Sequence, residues 1–257
     1  MKLLTRYIGM FFILCSATIC QAQMHDLHKN LPCLEKTFQV HVHMTVNTGG
    51  IIPLSPDSLQ NILEETNKFF EPICARFEIC DIDTIENYNF NRFDAYGSEQ
   101  TEMINRYQVK NRINLYIVRG IILTCHVAGR QSIERPNRAY AAVACHTPEE
   151  YAAALGRLLG LRYTFAGNRT ELVDGSNSAT TGDFIQDTPA DPFIRGDSLE
   201  LYVQDCEFIL EDLDPNGQYY QPLVGNMMSN YPCRCGFTYE QYLIMANNYL
   251  NSEIKLW

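Results

Sequence analysis

The first clear pattern in the chain is a strict alternation of apolar and polar residues from Phe38 to Val46. A period of two predicts a β-strand with one buried face and one polar face. His41 and His43 both fall on the polar face. Two histidines at this spacing can reach one metal ion, but no third ligand lies near them in the sequence. We therefore interpret them as polar residues of a strand, without a role in a site.

The segment that follows has apolar residues at helical spacing. Ser55 followed by Pro56 is typical of a helix start, and the apolar stripe continues to Pro72, which stops the helix. Strands are predicted beyond it at Cys74–Cys80, Ile113–Val118 and Ala139–Val143. The order strand, helix, strand, strand, strand favours a mixed sheet backed by helices.

A second helix is predicted to begin at Thr147. Thr147 caps it, Pro148 is the first helical residue, and Glu150 stands three residues after the threonine, where it would close a capping box. Gly160 is placed to end the helix. Its apolar stripe consists of Tyr151, Leu155, Leu158 and Leu159.

The remainder of the chain has few periodic segments. From Glu171 to Asp214 it is acidic and rich in loop-forming residues. Thr238 and Gln241 then form the capping box of a last helix, and Phe237 and Tyr242 are placed to pack across its start as a hydrophobic staple. Together these patterns predict a mixed sheet backed by helices, with a loop-rich C-terminal part.

Residues 1–23 have the features of a secretory signal. Lys2 and Arg6 precede an apolar run from Ile8 to Ile19, and the sequence at 20–22 provides a cleavage site. The run is shorter than the roughly 20 residues that a membrane-spanning helix needs, and no later stretch approaches that length. We therefore expect a secreted chain of residues 24–257, extracellular or periplasmic, without a membrane span.

The charge of the chain excludes one class of partner. The sequence has 20 basic and 30 acidic residues and a formal charge of −10; loss of the predicted signal removes two of the basic residues, so the charge becomes −12. An acidic surface repels phosphate backbones, and nucleic acid is therefore an unfavourable partner.

The cysteines favour disulfides over a metal site. Without Cys15 and Cys20 an even number of cysteines remains, as is typical of bridged exported proteins. Cys233 and Cys235 are separated by one residue, which is tighter than the spacing of two to four residues in structural zinc sites. About 234 mature residues bury a large core without bridges, so the bridges are expected to pin loops of a single domain.

Several segments form a specific combination. Asp-Thr-Pro-Ala-Asp-Pro stands at 187–192 and Asn-Met-Met-Ser at 226–229, and further segments lie at 40–43 and 112–117, which are weak alone, and at 171–177, 182–183 and 237–238. In this order they resemble the pappalysin family of metzincin zinc peptidases, as found in bacterial secreted proteins. The resemblance implies a metzincin-like α+β fold: a twisted mixed sheet backed by helices, an active-site-type helix, and a loop-rich subdomain with a Met-turn and a terminal helix. The implied subdomains are 24–160 and 161–257.

The same resemblance locates the catalytic positions of the family. Its helix carries His-Glu-x-x-His, followed by a glycine and a third histidine, since histidines four residues apart reach one zinc ion. Here the zinc-ligand positions hold Ala153, Arg157 and Tyr163, and the general-base position holds Ala154. Alanine has no donor atom, arginine has no free lone pair, and a protonated phenol is a poor ligand. We therefore expect no zinc and no catalysis at this helix.

The replaced residues have alternative roles. Arg157 places a fixed positive charge near the former zinc position, where it pairs with an acidic group of a neighbouring loop or, together with Tyr163, binds a ligand carboxylate in the cleft. Met228 resembles the Met-turn methionine. His126 and His146 are interpreted as ordinary loop or strand-end residues. A candidate calcium site is formed by Asp174, Asp183, Asp187 and Asp191; loop caps are the alternative.

The resemblance also suggests disulfide pairings. These are Cys125 with Cys145, Cys206 with Cys233 and Cys74 with Cys80, which leaves Cys33 for Cys235. The leading hypothesis for function is a secreted, non-catalytic metzincin-like protein that binds a peptide or protein. The alternatives are an active metallopeptidase with a rebuilt site, and a structural or surface-interaction protein.

Overall fold

The centre of the fold is a mixed β-sheet, and the computed structural model describes residues 31–129 and 139–252. The predicted signal at 1–23 lies outside these residues. The strands are β1 (Lys36–Thr45), β2 (Ala75–Ile85), β3 (Arg92–Asp94), β4 (Ile113–Ile117), β5 (Gly120–Ile122), β6 (His126–Gly129), β7 (Tyr140–Val143), β8 (Val203–Gln204) and β9 (Glu207–Phe208). Five of them form one sheet of order β2-β1-β4-β7-β6, in which only β6 is antiparallel to its neighbour.

Four helices accompany the sheet in the described residues: α1 (Pro56–Lys68), α2 (Ser98–Tyr107), α3 (Pro148–Leu158) and α4 (Tyr239–Leu250). The predicted helix starts are confirmed at α1, α3 and α4. Ser55 and Thr147 each accept a hydrogen bond from the amide three residues later, and Thr238 forms a complete capping box with Gln241. The predicted staple is present too, with the rings of Phe237 and Tyr242 edge to face.

Helix α2 was not predicted from the sequence. It begins after Gly97, which has no capping side chain, and only three of its residues, Gln100, Met103 and Ile104, are buried. So few apolar positions give a weak periodic signal. The helix forms because Met103 and Ile104 pack with Tyr116 of β4 in a second apolar cluster.

The sheet separates two apolar clusters. On one face, β1 contributes Phe38, Val40 and Val42 to the main core, and α1, α3 and α4 pack there. On the other face lies the smaller cluster around Tyr116 and α2. A third cluster holds the loop-rich C-terminal part together through Phe165, Phe193, Tyr202 and Tyr231. The predicted mixed sheet backed by helices is therefore confirmed.

Three disulfides lie within the described residues. Cys125–Cys145 and Cys206–Cys233 are present as predicted, while Cys33 pairs with Cys74. The predicted Cys74–Cys80 and Cys33–Cys235 pairings are therefore wrong, and Cys80 is a free, exposed cysteine. The reason is geometric: β2 is extended and continues past Cys80, and six extended residues span about 20 Å, far beyond the reach of a disulfide.

Among the helices at 31–129 and 139–252, none is long and apolar enough to span a bilayer.

Candidate functional site

The candidate site lies where helix α3 ends. Gly160 has a φ of +104°, which turns the chain back below the helix. The turn brings Tyr163 to Arg157, whose guanidinium carbon lies 4.8 Å from the centroid of the tyrosine ring. Arg157 also donates from Nη1 to the carbonyl oxygen of Leu161 at 2.9 Å. Two of the three positions expected to have lost their zinc ligands are thus adjacent in space.

The remaining zinc-ligand position and the general-base position face the interior. Ala153 and Ala154 have no exposed surface and belong to the main core. Met228 is fully buried in the same core. A Cβ atom added at Gly156 would lie 3.2 Å from the Met228 sulfur, so the glycine allows α3 to approach Met228 closely. Met228 therefore packs against the helix, as the resemblance to a Met-turn implies.

Tyr163 makes its polar contact with a histidine from the edge of the sheet. Its hydroxyl lies 3.1 Å from Nε2 of His126, at the start of β6. Burial raises the pKa of Tyr163, so the hydroxyl is protonated and donates. Burial also lowers the pKa of His126, which keeps its ring neutral. Nδ1 of His126 then donates to Oε2 of Glu150 at 2.7 Å.

Glu150 connects this chain of hydrogen bonds to a buried ion pair. Its second carboxylate oxygen accepts from Arg234, and both side chains are nearly inaccessible. Burial alone would raise the pKa of Glu150, but the hydrogen bond from His126 and the charge of Arg234 lower it to about 2. Glu150 is therefore ionised. Because both oxygens are engaged here, the predicted capping box at Thr147 forms only its threonine half.

We call Arg157, Tyr163, His126, Glu150 and Arg234 the α3 cluster. Two disulfides hold two of its members in place. Cys125, which bonds to Cys145, directly precedes His126, and Cys233, which bonds to Cys206, directly precedes Arg234. His126 is the first residue of β6, a strand-end residue as predicted, and its side chain also takes part in the α3 cluster.

Arg157 is the unbalanced charge of the α3 cluster. None of the carboxylates in the described parts of the chain forms an ion pair with it, and its Nε is buried without a hydrogen-bond partner. The predicted pairing with an acidic loop residue is therefore not formed there. A second cation, Arg195, is exposed and lies 5.3 Å from the centroid of the Tyr163 ring. Two guanidinium groups thus flank one partly exposed aromatic ring.

The acidic residues proposed for calcium serve local structure. Asp183 accepts from the Thr188 hydroxyl and the Ile185 amide, and Asp191 accepts from Thr164 and Tyr231. Asp187 accepts from Thr238 and the Glu240 amide, and Asp174 accepts from the Ser176 amide. These contacts match the alternative interpretation as loop caps. Calcium binding by this block stays a prediction.

Sequence reasoning missed three members of the site. His126, Glu150 and Arg234 meet across 24 and 84 positions of sequence. Each had a plausible local explanation: a residue beside a cysteine, a helix cap, and an arginine between two cysteines. The usable signal was the chemistry of Glu150 and Arg234, since charged residues next to predicted disulfides and apolar stripes are buried only when they are paired.

Of three comparisons with known proteins, only the one with solved structures found a match. No protein-family model matches the chain, and no curated protein matches it. Among solved structures, the fold matches that of a metzincin-type metallopeptidase. This neighbour is mirolysin, solved in complex with a compound; the TM-score is 0.60 at 14% identity, and the match covers 88% of this chain and 95% of that chain. At this identity the likeness shows the metzincin-like fold alone.

Proposed function

We propose that this chain is an exported, non-catalytic relative of the pappalysin-type metzincins that binds a carboxylate group of a peptide or protein beside α3. One observation carries the proposal: Arg157 lies against Tyr163 and has no carboxylate partner in the described chain, and the sequence resemblance implies that both stand at zinc-ligand positions. A guanidinium group offers donors that suit a carboxylate, and desolvation strengthens such a pair.

The absence of catalysis follows from the chemistry of four positions. Zinc peptidases need neutral donor atoms for the metal and a carboxylate beside it to act on the bound water. Ala153 and Ala154 offer no such atoms and are fully buried. Arg157 repels a cation, and the raised pKa of Tyr163 keeps its phenol protonated.

A rebuilt active site is the competing proposal, and one arrangement of side chains favours it. Tyr163, His126 and Glu150 form a hydrogen-bonded chain in the order nucleophile, base and orienting carboxylate. A nucleophile needs a lowered pKa or a strong base, whereas burial raises the pKa of Tyr163 and lowers that of His126. We therefore assign this chain of bonds to holding Tyr163 in place.

A purely structural protein is the remaining alternative. It would neutralise the charges of the α3 cluster internally, as Glu150 and Arg234 do. Arg157 and Arg195 instead leave positive charge beside a half-buried ring on a chain whose total charge is −10. A local cationic site on an acidic protein attracts anionic groups to one place. This contrast favours ligand binding.

The test is peptide binding to the mature chain. Random octapeptides are screened as free acids and as C-terminal amides, and binders are measured by fluorescence anisotropy. We expect binding that needs a free carboxylate and weakens about tenfold or more in Arg157→Gln. Arg162→Gln is the matched control, because the Arg162 guanidinium lies over the ring of Phe184, whereas Arg157 and Arg195 are the cations over the ring of Tyr163.

Two outcomes of the peptide-binding test would contradict the proposal. Equal binding by Arg157→Gln and the parent protein, or no carboxylate-dependent binder at all, would overturn the proposed ligand site. The structural alternative would then stand.

Export and calcium binding are two separate proposals. For export, we expect residues 1–23 to be missing from protein recovered outside the cytoplasm. For the calcium site, we expect calcium to raise the melting temperature less in Asp183→Asn than in the parent.

A further inference from the structure

The polar face of β1 carries two histidines, His41 and His43, on the sheet face opposite α3. His41 and His43 are buried, with 6% and 1% of their surfaces exposed. Their ring centroids lie 4.7 Å apart, and His43 stacks on Tyr116 at 4.5 Å. Tyr116 belongs to the apolar cluster on the sheet face opposite α3. Two buried imidazole rings are thus adjacent, next to an apolar cluster that offers them few hydrogen-bond partners.

An irregularity in β2 supplies a third donor. Val40 pairs with Ile79, but His41 pairs with Asp81, so Cys80 is an additional residue in β2. One extra residue exchanges the two faces of the strand beyond it. Asp83 consequently pairs with His43 on the histidine face, while Ile82 packs against the main core. Without this bulge the aspartate would point towards the core.

The three side chains converge. Nε2 of His41 lies 2.7 Å from Oδ2 of Asp83. One nitrogen from each imidazole and one carboxylate oxygen all lie within 4.8 Å of one another. Two imidazoles and one carboxylate are a donor set that zinc and similar divalent transition metals accept, with further positions left for water.

The hydrogen bonds of Asn114 determine which nitrogen of His43 is free. The Asn114 amide nitrogen faces the carbonyl oxygens of Val109 and Arg112, and its oxygen accepts from the Val109 amide. The oxygen therefore also accepts from Nε2 of His43, at 3.0 Å. Nε2 must carry the proton, so Nδ1 carries the lone pair. Nδ1 is buried and has no hydrogen-bond partner within the described structure.

This arrangement is the one that a metal ligand needs. A ligating histidine usually donates its other ring N–H to an oxygen, which fixes the ring and its tautomer. A buried lone pair without a donor is otherwise unfavourable.

We propose that His41, His43 and Asp83 bind one divalent transition-metal ion of the zinc type, with Asn114 orienting His43. Asp83 is the exposed member, with 57% of its side chain accessible, and gives the ion its path from solvent. Binding replaces the contact between His41 and Asp83 by two bonds to the metal. The site does not depend on the proposed ligand site at α3.

The test uses Zn²⁺ alone with the mature chain carrying Cys80→Ser, because the free thiol would also bind zinc. We expect one Zn²⁺ per chain by isothermal titration calorimetry and a higher melting temperature with zinc. Asp83→Asn should weaken binding by about 100-fold or more, since removal of a ligand exceeds the effect of losing an orienting contact. Asp81→Asn, an exposed carboxylate on the same strand, should bind as the parent does.

A second variant guards against misfolding. His41→Gln is measured together with Asp83→Asn, and both should retain the metal-free melting profile of the parent while losing the zinc-dependent shift. The absence of zinc binding by the folded parent would overturn the proposal, as would undiminished binding by both variants. Because cleavage and peptide binding are not read out, neither result depends on what α3 does.

Discussion

At the scale of single residues, the stability of the α3 cluster depends on Glu150. Its two oxygens satisfy His126 and Arg234, and its ionised state is held by both. Removal of one partner from a buried ion pair leaves an uncompensated charge, which is more harmful than the loss of the pair as a whole. Arg234 would be that charge, since its Nε already lacks a partner in the described structure.

We therefore predict that Glu150→Gln lowers the free energy of unfolding by about 3 kcal/mol near neutral pH. Urea denaturation measures the change. Glu149→Gln is the matched control, because Glu149 stands in the same first turn of α3 and is not paired in the described chain. Equal, small effects of both substitutions would show that the Glu150 pair does not support the fold.

At the scale of elements, the loop from Glu171 to Asp191 places carboxyl groups in the interior. Glu171, Asp183 and Asp191 are all at most 5% exposed. Burial, reinforced by the charges of Asp183 and Asp191, raises the pKa of Glu171 to about 8 from its ordinary 4.5. Burial raises that of Asp183 to about 7 from 3.8. The folded loop therefore binds protons that the unfolded chain has released.

The sign of the pH dependence follows. The stability from these groups is fully present below their unfolded pKa values, near pH 4, and is lost as the pH rises through about 7 and 8. We predict that the free energy of unfolding falls between about pH 5.5 and about pH 8.5, and that Glu171→Gln reduces the fall. Denaturation at both pH values tests this, with the exposed Glu64→Gln as the control. A fall of the same size in Glu171→Gln would contradict it.

Elements with a strong local signal were the ones that the sequence allowed us to predict. The caps at Ser55, Thr147 and Thr238 are correct because each is determined within four residues. Helix α2 and the continuation of β2 past Cys80 were missed because packing and parallel pairing define them. Asp83, the third member of the His41 and His43 cluster, was not predicted for the same reason. It lies 40 residues after His43, and its side chain faces the histidines because of the bulge in β2.

At the scale of the whole molecule, the chain has a metzincin-like fold. The sequence resemblance implied this fold, and it implied that Ala153, Ala154, Arg157 and Tyr163 stand at the family's zinc-ligand and general-base positions. It did not indicate how the new residues interact. His126, Glu150 and Arg234 come from β6, α3 and the segment before α4, and only the folded chain brings them together. A preserved framework warrants no activity by itself.

Zinc content alone does not test the proposed absence of catalysis, since His41, His43 and Asp83 form a separate candidate metal site. The most direct measurement is cleavage of gelatin and casein by the purified mature chain, with added zinc and with a zinc chelator. We predict no cleavage above that of the buffer under either condition. Cleavage that disappears with the chelator and returns with zinc would contradict it.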